Sequence, residues 1–157
     1  MVDSNKVFIA FDGSDNSMKA VQYAAKMFKH DKDLDFTLCG IYQKFPHGTI
    51  DTEMPGSEKV KHGLRDLEVD REMGRDKIEQ ASQVLVKAGI DVSRVHIKYL
   101  EGQETVPKDL VNQIVEGRYG TVIVGRRGQS NIKDFFFGRV SSTLVNHLQN
   151  RTVIVAE

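Results

Sequence analysis

Short, nearly uninterrupted apolar runs recur along this chain, and stretches of helical period separate them. KVFIAF (6–11), DFTLCGIY (35–42), SRVHIKYL (93–100), GTVIVG (120–125) and the closing TVIVA read as strands. A strand that faces water on one side alternates apolar with polar residues. Runs such as VFIAF and TVIV do not alternate, so both of their faces must be covered. Between the strands, Met18, Val21, Ala25 and Phe28 fall at three- and four-residue steps. Leu64, Leu67, Gly74, Ile78, Ala81, Leu85 and Ala88 form a second stripe, which stops at a candidate C-cap, Gly89. ETVPKDLVNQIVEG continues the pattern, with Thr105 as cap and Pro107 tolerated in the first turn, and VSSTLVNHL aligns Val140, Leu144 and Leu148. Strands alternating with helices imply a parallel sheet covered on both faces and joined by right-handed crossovers. A length of 157 residues is that of one domain, taken here as 1–157.

In such a sheet, ligands bind outside the carboxyl ends of the strands, where the strand order reverses. Two polar loops leave strand ends on that rim: DGSD after VFIAF, and VGRRGQSNIKDFFFGR (124–139) after TVIV. The second holds Gly125, Gly128 and Gly138. Gly125 and Gly128 shape the turn leaving the strand, and Gly138 falls where the next helix begins. Glycine lets backbone N–H groups approach a phosphate, and a helix N-terminus adds unpaired donors and partial positive charge. Ser141 and Ser142 sit in that helix's first turn, with Arg126, Arg127 and Arg139 nearby. On spacing alone, the glycines are equally readable as turn and cap residues. There is no GxxxxGK[ST] and no GxGxxG opening the first helix, so neither a P-loop nor a dinucleotide fingerprint is present. A third segment at a strand end, 43–62, carries prolines and glycines without periodicity. It is expected to be a long surface loop, a candidate lid.

Composition narrows the partners. Lysines and arginines number 22 and so do the acids, a formal net charge of zero. No global field favours nucleic acid or an anionic membrane, so an anion site must be local. The lone Cys39 lies in an apolar run with no basic neighbour and reads as a core residue. Neither a secretory leader nor a membrane-spanning run is apparent, and the expected location is the cytoplasm. The histidines show no HxxxH or HxH pairing, which argues against zinc. A metal at His47, Asp51, Glu53 and His62 in the long loop is an outside alternative. Asp12 has three open roles: bonding a ribose or adenine, holding Mg2+ with phosphates, or stabilising its own turn, with Ser14 and Asp15 as capping residues. The phenylalanines of DFFFG (134–138) suit base stacking, core anchoring of the loop or a dimer contact. TVIVA, as a last strand, offers a sheet edge for pairing with another copy, or lies covered within the monomer.

KVFIAFDGSDNSMKAVQYAAKMF, EGQETVPKDLVNQIVE and TVIVGRRGQSNIKDFFFGRVSSTLVNHLQNRTVIVAE together resemble the universal stress protein family. Its nucleotide-binding members carry G-x2-G-x9-G-[ST], and Gly125, Gly128 and Gly138 reproduce that spacing. Only 43–62 lacks a family pattern. The resemblance implies an open five-stranded parallel sheet of order 3-2-1-4-5, helices on both faces, of the adenine nucleotide alpha hydrolase-like kind. It implies a dimer and an ATP site, with Mg2+ in attendance, in stress response or signalling. By position, Ala10, Phe11 and Asp12 would face the adenosine and Ile41 would pack on the adenine. Gly125, Arg127, Gly128, Gly138, Val140 and Ser141 would surround the phosphates. Thr152, Val153, Ile154, Val155 and Ala156 would form the homodimer edge. The chain departs from the motif at Arg139, which stands where the family has serine or threonine. Turned inward, its guanidinium more than replaces a hydroxyl's hydrogen bond; turned outward, it weakens the site. Besides the nucleotide-binding module, two readings stay open: a dimeric interaction protein that binds no nucleotide, and a slow ATPase, for which no base is evident near the loop.

Overall fold

Alternate residues of the first apolar run feed two different cores. Val7, Ile9 and Phe11 cluster with Ala20, Val21, Ala24, Ile78 and Leu85, while Phe8 and Ala10 cluster with Leu110, Ile114, Val122 and Leu144. Burying a side chain of this size stabilises by roughly 1.5–3 kcal/mol, so a run with no polar alternation is stable only where both faces are covered. The structure, a computed structural model, describes the backbone of residues 1–42, 57–126 and 138–157, and their side chains apart from those of 57–62. The strands are β1 (Asp3–Ala10), β2 (Asp35–Tyr42), β3 (Val95–Glu101), β4 (Tyr119–Gly125) and β5 (Thr152–Ala156). They form one five-stranded sheet in the order β3-β2-β1-β4-β5, with every neighbouring pair parallel. This is the expected fold class. Helices α1 (Asp15–Phe28) and α2 (Ser57–Lys87) contribute to the first core, and α3 (Val106–Glu116) and α4 (Arg139–His147) to the second.

The edge strands differ from the central ones. β3 reads VHIKYLE, is partly exposed along its length, and leaves Ile97 40% exposed. β5 is likewise part-exposed except at Ala156. Covered faces thus belong to β1, β2 and β4, whose positions in the order are central.

Local signals set the helix ends. Ser14 caps α1, its hydroxyl accepting from Ser17 N at 3.2 Å, with acidic Asp15 in the first turn. Gly89 adopts φ +109 after α2. Gly89 N donates to Val86 O and Ile90 N to Leu85 O, a Schellman closure that buries Ile90 beside Leu85. Two expectations change. Residues 57–62, taken from sequence as the end of a surface loop, are the first turns of α2; the rest of that loop, 43–56, lies outside the described residues. SEKVKH has no apolar periodicity to announce a helix, but Glu and Lys are good helix formers. Thr105 occupies the N-cap position of α3 yet makes no side-chain cap bond. The buried carboxylate of Asp109, inside the helix, instead reaches back to the chain ahead of the cap, accepting from Gln103 N at 3.0 Å and Glu104 N at 3.2 Å.

Candidate functional site

In this order the chain reverses direction across the sheet between β1 and β4, and the carboxyl ends of those strands face a cavity of about 610 Å3. Three local structures build it.

The first is the turn after β1. Ala10 and Phe11 are buried at the strand's end, Phe11 N donating to Cys39 O. Gly13 takes φ +80, which folds the chain sharply into α1. One oxygen of the exposed Asp12 accepts from Ser14 N at 2.9 Å, so this carboxylate does stabilise its own turn. Ser17, buried beneath, accepts from Asp12 N and donates to Ser14 O.

The second is the junction of β4 with α4. Gly125 is required by a close approach: a Cβ there would overlap the Asn16 carbonyl and lie 3.0 Å from Ser17 N. Its immediate purpose is to let β4 end against the start of α1. Arg126 N continues the ladder to Ala156 O, and the Arg126 side chain pairs with Glu157. The Arg126 carbonyl then accepts twice, from Gly138 N at 2.7 Å and from the Ser141 hydroxyl at 2.9 Å. Both ends of the glycine loop are therefore tied to one oxygen. Gly138 is the N-cap of α4, as its place in sequence suggested, and provides no side-chain cap. The main-chain N–H groups of Arg139, Val140 and Ser141 are left as first-turn donors beside the cavity. The hydroxyls of Ser142 and Thr143 donate back to Arg139 O, so the first turn presents amides rather than hydroxyls. Arg127, Gly128 and the phenylalanines of 134–137 lie outside the described residues.

The third wall went unanticipated. Ile41 lines the cavity, and so do Tyr42, Tyr99 and a row from α2 that includes Asp70, Arg71, Gly74 and Lys77. Arg71 lies over the Tyr42 ring at 4.4 Å, and Tyr42 packs on Tyr99 with centroids 4.9 Å apart. Burial pushes the Tyr99 phenol up, opposed by Arg71 and Arg75. A sequence signal for this wall existed: Gly74 sits mid-helix, where glycine costs about 1 kcal/mol relative to alanine and so calls for a packing reason.

The electrostatics are local, as a neutral chain requires. Arg71, Lys77, Arg126 and Arg139 line the cavity against Asp12 and Asp70. Cys39 also borders it, but burial pushes its thiol up to about 12, which keeps it protonated and unreactive. Among the described residues no group of His, Cys, Asp and Glu is placed to hold a metal ion. The loop positions His47, Asp51 and Glu53 and the His62 side chain lie outside that description. No helix among the described residues is long and apolar enough to cross a membrane.

The cavity thus gathers the expected Ala10, Phe11, Asp12 and Ile41 with Gly125, Gly138, Arg139, Val140 and Ser141. In comparisons with known proteins, the model of the universal stress protein family matches residues 4–156. The universal stress protein UspA of Lactobacillus plantarum superposes with a TM-score of 0.75 at 14% identity, covering 100% of both chains. A universal stress protein in complex with cAMP gives 0.64 at 18% identity over 98% of this chain and 97% of that one. The universal stress protein of Archaeoglobus fulgidus in complex with dAMP gives 0.58 at 15% over 100% of each. No curated protein matches the chain.

Proposed function

Because the chain belongs to the universal stress protein family, we propose that it is an adenine-nucleotide-binding module, taking ATP in the rim cavity and acting as a dimer in stress response or signalling. The observation that carries this reading is convergence. Residues from the two ends of the sequence, Asp12 on one side and Gly138 to Ser141 on the other, line a single cavity with Ile41 from β2. Its volume of about 610 Å3 is of the size that encloses a small ligand. The complexes of related structures with cAMP and dAMP support an adenine nucleotide as the class.

In this reading the phosphate tail meets the uncapped first-turn amides of α4, where the helix dipole favours negative charge. Arg139, exposed and on the cavity wall, adds a charge-assisted contact in place of the family's hydroxyl. Asp12 lies by the ribose or adenine, and Ile41 packs on the base. Arg127 and Gly128 complete the loop around the phosphates. Mg2+ would accompany the phosphates and neutralise their charge, with Asp12 the turn carboxylate that lines the cavity. Dimerisation through β5 is supported by its place at the end of the strand order and its part-exposed Val153, Ile154 and Val155. The cytoplasm is the proposed location.

Calorimetric titration with ATP tests the reading. Saturable binding is expected, and Arg139→Glu is expected to weaken it about 10- to 100-fold, the loss of a charged hydrogen bond, without moving the melting temperature. Absence of both heat and thermal shift at millimolar ATP would overturn it. That result would leave a self-pairing interaction protein without nucleotide, the reading favoured by an arginine where the motif has a hydroxyl.

A further inference from the structure

Two glycines hold one tyrosine ring between them. A Cβ on Gly40 of β2 would sit 3.1 Å from Tyr99 Cδ2, and one on Gly74 of α2 would sit 3.0 Å from Tyr99 Cζ and overlap its hydroxyl. Tyr99 therefore occupies a slot between strand and helix, and Arg75 lies over its ring at 5.9 Å. Tyr42 packs against it at a 44° tilt, and the Arg71 guanidinium lies over Tyr42. Each group is positioned by the one beneath it. Arg71 is half-buried, yet among the described residues no carboxylate pairs with it. It lines the same cavity as the first turn of α4, on a wall built by other elements.

We propose that Arg71, seated on Tyr42, is a further binding residue that stacks on the purine base of the bound nucleotide. The inference rests on the nucleotide-binding reading above and adds a base contact from α2. A guanidinium is planar and weakly hydrated, and it stacks on aromatic faces. Arg71 Cζ lies 4.4 Å from the centre of the Tyr42 ring, and the same side chain lines the cavity, within reach of a ligand ring. Bases stack on arginine and aromatic planes without requiring a particular edge pattern. Charge for the phosphates is already supplied elsewhere, by the α4 amides and Arg139.

The test compares ATP with tripolyphosphate, which has the tail and no base, by titration of the full chain and of Arg71→Gln, Arg71→Lys and Tyr42→Phe. Arg71→Gln is expected to weaken ATP roughly tenfold and to leave tripolyphosphate unchanged. Arg71→Lys, which keeps the charge but not the plane, is expected to behave like Arg71→Gln and serves if the glutamine variant folds poorly. Tyr42→Phe keeps the ring and is expected to bind as the parent does. Equal losses for ATP and tripolyphosphate would make Arg71 a phosphate contact and overturn the inference, as would no loss for either. If the parent binds ATP and Arg139→Glu weakens it while Arg71→Gln does not, the base contact fails and the function stands. If the parent binds neither ligand, both fail together.

Discussion

At the α4 end of the cavity the groups fixed in place are main-chain atoms, with the Arg139 side chain beside them: the first-turn amides of a helix capped only by Gly138, and the Arg126 carbonyl that ties the loop's ends together. At the α2 end they are side chains stacked upon one another, Arg71 on Tyr42 and Tyr42 on Tyr99. The first wall depends on where the backbone can go, and so on glycine. The second depends on which rings and charges are present, and glycine enters only to make room. A backbone wall is lost first to added bulk. A side-chain wall tolerates changes that preserve shape and loses its character with one changed group.

The largest effect is expected from adding bulk to the backbone wall. Gly125→Val would drive its side chain into the Asn16 carbonyl and the Ser17 amide, which are themselves fixed by the Ser14 cap. Neither can retreat without breaking the start of α1. A loss of about 3 kcal/mol or more is expected, the upper range for overpacking, read as a lowered urea midpoint with an unchanged slope. A stability within about 0.5 kcal/mol of the parent would show that β4 and α1 do not meet this closely.

This difference between the walls also explains what was legible in the sequence. Gly125 and Gly138 stand at strand and helix ends, where local pattern already fixes the surroundings, so their spacing could be read as one loop. The paired faces of β1 were legible for the same reason, since VFIAF itself shows that both sides must be covered. Arg71, Tyr42 and Tyr99 come from α2, β2 and β3, and nothing local says that they stack. Their meeting depends on the register Gly40↔Tyr99 and on the docking of α2, both products of tertiary packing. Asp109 is a parallel case, since its carboxylate fixes the entry to α3 by reaching back to Gln103 and Glu104, while Thr105 at the N-cap makes no side-chain cap bond. Polar SEKVKH, helical without an apolar stripe, was invisible to periodicity.

A middle-sized effect tests the side-chain wall. Gly74→Ala gains roughly 1 kcal/mol of helix propensity but drives a methyl into the Tyr99 hydroxyl, at the end of a ring that packs against Tyr42. Overpacking of this kind costs about 1–3 kcal/mol, so a net loss of about 1 kcal/mol is expected. The double variant Gly74→Ala with Tyr99→Leu should recover it, because the ring that the methyl strikes is gone. If Gly74→Ala alone stabilises the protein, Tyr99 has freedom to turn and the stack beneath Arg71 is looser than its geometry implies.

The smallest effect at neutral pH belongs to Cys39, which lies under the floor between the walls. Its thiol ordinarily titrates at 9.0, and burial raises it to about 12 in the folded chain, with Lys98 opposing the shift. The folded state therefore holds its proton more tightly than the unfolded one. Stability is unaffected by this group below about pH 9 and falls as pH rises from there towards 12, by up to about 1.4 kcal/mol per pH unit while only the unfolded thiol is ionised. Lysines and tyrosines titrate in the same window, so the measurement is a difference. Urea midpoints of the parent and of Cys39→Ala, taken from pH 7 to 11, should run parallel below pH 9 and converge above it, the parent losing the more. Parallel curves throughout, or rapid alkylation of the folded parent at pH 8, would mean that water reaches the thiol through the cavity. The floor would then be open, and the two walls would enclose a channel rather than a pocket.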